Sequence, residues 1–219
     1  MTEHAPGRVE RQEFHHELGD VEANVVDLFT MVAEDVARAG DALLNGNTEV
    51  ARALAERDRV IDALYPEIED LADRELLLQA PVASDLRLLV SVLRVVPELE
   101  RSHDLVVDIA RRATHILSDD LTARTRTLIG QMGNLAADMW RETVDCWRDR
   151  DRSAAAALGE RDDEMKELYA SLIAEIASGR MTVPVTMEMT LVARFYERLA
   201  DHAYNIARRV VYLAGSAHK

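Results

Sequence analysis

A chain of 219 residues with 48% hydrophobic content can bury a sizeable core, as one long domain or two small ones, and is no disordered tail. Its 40 acidic against 26 basic residues give a formal charge of −14, which repels nucleic-acid backbones and anionic lipid headgroups alike and argues against nucleic acid as a partner. The one cysteine, Cys146, excludes an intrachain disulfide and a Cys-rich zinc site and suits a reducing compartment.

Aromatic residues are sparse, while Ala, Leu, Arg and Glu dominate, which favours long helices because these side chains lose little rotamer freedom there. Residues 1–12 read as a flexible N-terminus: Met1 to Phe14 carries Glu3, Glu10 and Glu13 and lacks the apolar centre of a leader. No later run approaches the ~18 apolar residues that span a bilayer. The expected place is therefore the cytoplasm, with contact to a membrane peripheral and through partners.

Six helical segments follow, near 13–45, 48–78, 84–117, 120–150, 152–178 and 184–214, with 215–219 as a tail. Gly46, Pro81, Ser118-Asp119-Asp120, Asp151 and Gly179-Arg180 are the breaks. Ser84 or Asp85, Ser118 and Asp151 are the candidate N-caps; Gly46, Gly179 and Gly215 stand where a left-handed residue ends a helix. Pro66 and Pro97 fall inside helical patterns and should kink them.

An internal repeat organises these segments. At an offset of 104, Asp41 to Asp58 runs against Asp145 to Asp162, and Leu64-Tyr65 against Leu168-Tyr169. At an offset of 97, Glu100-Arg101-Ser102-His103-Asp104 and Ile109-Ala110-Arg111-Arg112 run against Glu197-Arg198-Leu199-Ala200-Asp201 and Ile206-Ala207-Arg208-Arg209. The expected fold is all-α: two tandem three-helix bundles, 13–117 and 118–214, related by pseudo-twofold symmetry.

Acids four residues apart share one helix face, with Cβ atoms ~5–6 Å apart. Folding the second and third segments back at Pro81 brings two such pairs together. Asp62 lies nineteen residues before that turn and Glu100 nineteen after; Asp58 and Asp104 lie twenty-three residues to either side. The second half mirrors this about residues 180–182, setting Asp162 and position 166 against Glu197 and Asp201, with Lys166 in place of an acid. Four facing carboxylates repel one another unless something neutralises them. An all-oxygen set suits magnesium, manganese or iron, whereas ion pairs from Arg59, Arg101, Arg161 and Arg198 are the alternative.

The same stretches carry a family resemblance. Gln79-Ala80-Pro81-Val82-Ala83-Ser84-Asp85-Leu86-Arg87, followed by Glu98-Leu99-Glu100-Arg101-Ser102-His103-Asp104, is similar to the PhoU pattern Q-P-x-A-x-D-L-R leading to L-E-R-x-x-D, and Phe195 to Ala203 resembles its second copy. The resemblance spans Phe14 through Leu213. It implies a six-helix, two-repeat cytoplasmic regulator; no catalytic activity is expected, because no nucleophile–base pair or cofactor motif accompanies the carboxylates in the sequence. Such a protein associates with the ATPase of a phosphate ABC transporter and with a sensor histidine kinase, and represses the phosphate-starvation response. It also implies multinuclear metal clusters at paired E(D)-x-x-x-D motifs: Asp58 and Asp62 with Glu100 and Asp104, and Asp162 with Glu197 and Asp201. Lys166 departs from the second motif, where Asp163 and Glu167 could substitute after a modest helix rotation; Ser102-His103 and Leu199-Ala200 stand where the family commonly has I-G.

The rival from another class is a di-iron carboxylate oxidoreductase, for which Glu13-x-x-His16 and Glu100-x-x-His103 are the available motifs. His103 has Ala200 as its repeat partner and reads more simply as a partly exposed histidine. Cys146 and Trp147 read as packing residues. The pattern leaves a homodimer open, and no phosphate loop or nucleophile elbow is present.

Overall fold

The computed structural model describes residues 6–114 and 120–215. Among these, six helices account for the architecture: α1 (Pro6–Asn45), α2 (Thr48–Gln79), α3 (Ala83–Arg111, continued by a short 3-10 turn, Arg112–Thr114), α4 (Ala123–Asp149), α5 (Arg152–Ala177) and α6 (Val183–Leu213). Helix α1 begins at Pro6, well before residue 13, so the described part of the expected flexible N-terminus is helical. Helix α3 stops at Arg111, short of 117.

The breaks follow from local chemistry. Gly46 and Gly179 adopt φ of +65° and +72° after α1 and α5, a region glycine enters without steric cost. Asn47 caps α2, its side chain accepting from the Val50 amide; Asp151 caps α5 by accepting from Ser153 and Ala154. Neither Ser84 nor Asp85 caps α3: Val82 holds the cap position with no side-chain bond, because the turn at Pro81 runs through left-handed Ala80 and Ala83 and draws Ser84 into the helix. The Ser84 hydroxyl bonds Asp85 instead. For α4 the cap is Thr122, accepting from Thr125; the expected cap Ser118 lies outside the described residues. Pro66 and Pro97 both sit within uninterrupted helices.

Buried positions on α2 (Ala51, Leu54, Ile61, Ile68, Ala72) and α5 (Ala155, Leu158, Met165, Leu172, Ile176) form one narrow stripe each. A single stripe can cover a single partner face, so both helices lie outside. Helices α1, α3, α4 and α6 bury more of their circumference and form the centre: α2 packs on α3 and α5 on α6, while α1 meets α4 and α3 meets α6 between the halves. This is the two-repeat bundle that the internal repeat predicts.

Close approach at the centre depends on glycine. The buried Tyr196 hydroxyl of α6 lies where a Cβ on Gly40 of α1 or Gly133 of α4 would come within 3.0 or 3.1 Å. Nearby, Phe29 tilts against Trp140 and Trp147, and the Trp140 indole donates to the Leu199 carbonyl at 3.0 Å. Cys146 is buried, and burial pushes its thiol pKa up to about 11, so it is unreactive packing. Among the described residues no helix is long and apolar enough to cross a membrane.

Candidate functional site

Asp58 occupies the core stripe of α2, between Leu54 and Ile61, and is largely covered; Asp62, one turn on, is exposed. Opposite them on α3, Glu100 is half-buried and Asp104 exposed. The carboxyls influence each other across the hairpin in pairs. Glu100 is pushed above the ordinary range first by partial burial, then by Asp104 and Asp62; Asp104 is raised by burial and then by Asp58 and Asp62. Four carboxylates thus share one field, with Asp62 set against Glu100 and Asp58 against Asp104.

Two arginines of the alternative form their ion pairs with other acids. Arg101 lies close enough to Glu100 to lower its proton affinity somewhat, but pairs with Glu98 at 3.6 Å, and Arg161 pairs with Glu142 at 2.7 Å. Among the described residues, the buried contact to this set comes from histidine. His103 is fully buried rather than partly exposed: its Nδ1 lies 2.7 Å from Asp58 Oδ1 and its Nε2 3.1 Å from Asp35 Oδ2. Asp35, also fully buried, takes ion pairs from Arg38 at 2.9 Å and Arg57 at 3.5 Å. A buried carboxylate persists only with such partners. Sequence reasoning missed Asp35, although its signal is plain: it falls on the apolar stripe of α1 between Val32 and Ala39, where a charge needs a buried partner.

The second set is arranged differently. Asp162 is buried on the α5 stripe and paired with Lys166 at 2.7 Å; exposed Asp163 takes the same ammonium at 3.1 Å. The two acids raise the pKa of Lys166, keeping it charged. Glu197 is paired with Arg194 at 2.5 Å, Asp201 accepts from Asn205 at 3.2 Å, and Glu167 is exposed. A protein cation therefore already sits in the second set.

Toward a metal, the first set fits in donor chemistry and charge but not in present placement. Asp58 is held by His103, and among the described residues no three carboxylate, imidazole or thiolate side chains converge to hold an ion. Asp62 and Asp104 are exposed and Glu100 is half-buried. The second set does not fit while Lys166 remains. The di-iron pairing also fails: the His16 side chain is 81% exposed on α1, and both nitrogens of His103 are taken.

Between the halves, Ser102 of α3 bonds His202 Nδ1 of α6 at 2.9 Å, and His202 Nε2 lies 3.4 Å from Glu98. Burial lowers the pKa of this imidazole, outweighing Glu98, so the link is a neutral one at neutral pH.

Comparison with known proteins agrees with this architecture. The family model for the PhoU domain matches residues 25–113 and 129–210, one copy per half. The "Phosphate-specific transport system accessory protein PhoU homolog" of Synechocystis sp. is 33% identical over 215 residues, covering 93% of this chain and 92% of that protein. The protein of the same name from Zymomonas mobilis is 30% identical over 205 residues, 92% of this chain and 86% of its own. The crystal structure of PhoU from Pseudomonas aeruginosa superposes with a TM-score of 0.85 at 28% identity, covering 91% of this chain and 98% of that one. The phosphate transport system regulatory protein PhoU from Streptococcus pneumoniae gives 0.84 at 27%, with 92% and 97% covered.

Proposed function

Because the chain belongs to the PhoU family, we propose that it acts in the cytoplasm as a non-enzymatic regulator of phosphate uptake, binding a phosphate ABC transporter's ATPase and a sensor histidine kinase and restraining the phosphate-starvation response. The observation that carries this is the match of both halves, over nearly the full length of relatives named as transport-system accessory proteins. In the same proposal the first carboxylate set, Asp62, Glu100 and Asp104 with Asp58 behind them, takes magnesium, manganese or iron. The metal would supply positive charge where the chain has gathered negative charge.

A pull-down of the tagged protein from phosphate-replete cells tests the regulatory part. Recovery of the transporter ATPase or the kinase is expected. Finding neither, together with silent starvation reporters in a deletion strain on rich phosphate, overturns it.

A further inference from the structure

On a chain of charge −14, one cleft is lined by arginine. It lies between the first turns of α3, the start of α5 and the end of α6, where Arg87, Arg152 and Arg208 meet Leu86, Val211 and Tyr212. None of the three guanidiniums has a carboxylate partner among the described residues, although acids outnumber bases in the chain.

Gly215 gathers two of them. Arg152 donates to its carbonyl at 3.1 Å, and a Cβ on Gly215 would sit 3.2 Å from the Arg87 Nη2. Two like charges brought to one residue repel, and an anion between them removes that cost. Arg87 Nε is moreover buried without a hydrogen-bond partner, a donor left open beside the cleft. Arg208 reaches the same cleft from the last turns of α6, over the Tyr204 ring at 5.9 Å. The neighbouring groove on α3 and α6 is lined by Arg94, Arg101 and Arg209 together with Glu98.

We propose that this cleft binds a small phosphorylated organic molecule, its phosphate group held by Arg87, Arg152 and Arg208. Three forked cations match a multiply charged tetrahedral anion better than a single carboxylate. The volume of about 790 Å³ far exceeds a bare phosphate ion, and the Leu86, Val211 and Tyr212 wall offers an apolar surface to the rest of the ligand. The proposal is independent of the regulatory function, since neither the carboxylate sets nor the family match enters it.

The test is calorimetric titration of the full chain with ADP, pyrophosphate and inorganic phosphate, and flotation with phosphatidic-acid vesicles. ADP is expected to bind with Kd below about 1 mM and more tightly than inorganic phosphate. Arg152→Gln and Arg208→Gln, both on exposed side chains and expected to leave the fold intact, should each weaken ADP at least tenfold. Arg87→Gln should do likewise if its melting temperature is unchanged. Absence of saturable ADP binding, ADP affinity unchanged in both exposed variants, or binding to vesicles but not to ADP overturns the proposal.

Discussion

At the scale of single residues, the buried contact between Asp35 and His103 outranks the exposed ion pairs, because burial removes the solvent that makes surface pairs nearly worthless. His103→Leu leaves one oxygen of a fully buried carboxylate unpaired while Arg38 and Arg57 still hold the other. The expected loss is about 2–4 kcal/mol in urea unfolding. Asp35→Leu/His103→Leu should lose clearly less than the two single changes together; strict additivity would show that the contact is not coupled. The carboxylates behave oppositely. Glu100 has its folded pKa raised above the usual 4.5, so its stabilising contribution is complete below that pH and is lost as pH rises through the folded value. Glu100→Gln should therefore raise the melting temperature at pH 7 in chelator by about a degree and confer nothing at pH 4, with salt shrinking the gain. An equal gain at both pH values would remove the repulsion account.

At the scale of elements, the two hairpins are the same construction with one inverted charge. Helices α2 and α3 present Asp58, Asp62, Glu100 and Asp104; α5 and α6 present Asp162, Glu197 and Asp201 with Lys166, a change of two charges at one position. Even at an effective dielectric of ~20, a unit charge ~6 Å from a divalent ion contributes on the order of several kcal/mol. Asp62→Lys should abolish tight metal binding in the first hairpin. Lys166→Asp should create a second site by freeing Asp162 and Asp163 from their shared ammonium. Elemental analysis and titration of both variants against the parent decide the matter: unchanged stoichiometry and affinity would return the acids to ordinary surface.

At the scale of the whole molecule, the repeat does not make two independent domains. The apolar core is one cluster through all six helices, and Phe29 of the first half rests on Trp140 and Trp147 of the second. Separating the halves would expose the faces that α1 and α3 turn toward α4 and α6. One calorimetric transition is expected, with equal calorimetric and van't Hoff enthalpies. Residues 1–117 alone should aggregate or lack fixed side-chain packing. Two resolved transitions, or a cooperatively folded half, would contradict this.

The sequence by itself determined what is local or repeated: six helices from composition and periodicity, the breaks at Gly46, Asp151 and Gly179, the doubled unit, and the hairpin that sets Asp62 against Glu100. Helix period and turn chemistry act over a few residues, so they are written in adjacent positions. Periodicity tells which face of a helix is covered, however, and not by what. Only tertiary structure decided that His103 is buried, because its partner Asp35 lies 68 residues away on another helix, and that Ser102 meets His202 across 100 residues. It also decided that Lys166 bonds two of the acids proposed as ligands, and that arginines from α3, α5 and α6 share a cleft. Such contacts depend on how whole helices are rotated and staggered, which is settled by the packing of every other side chain on them.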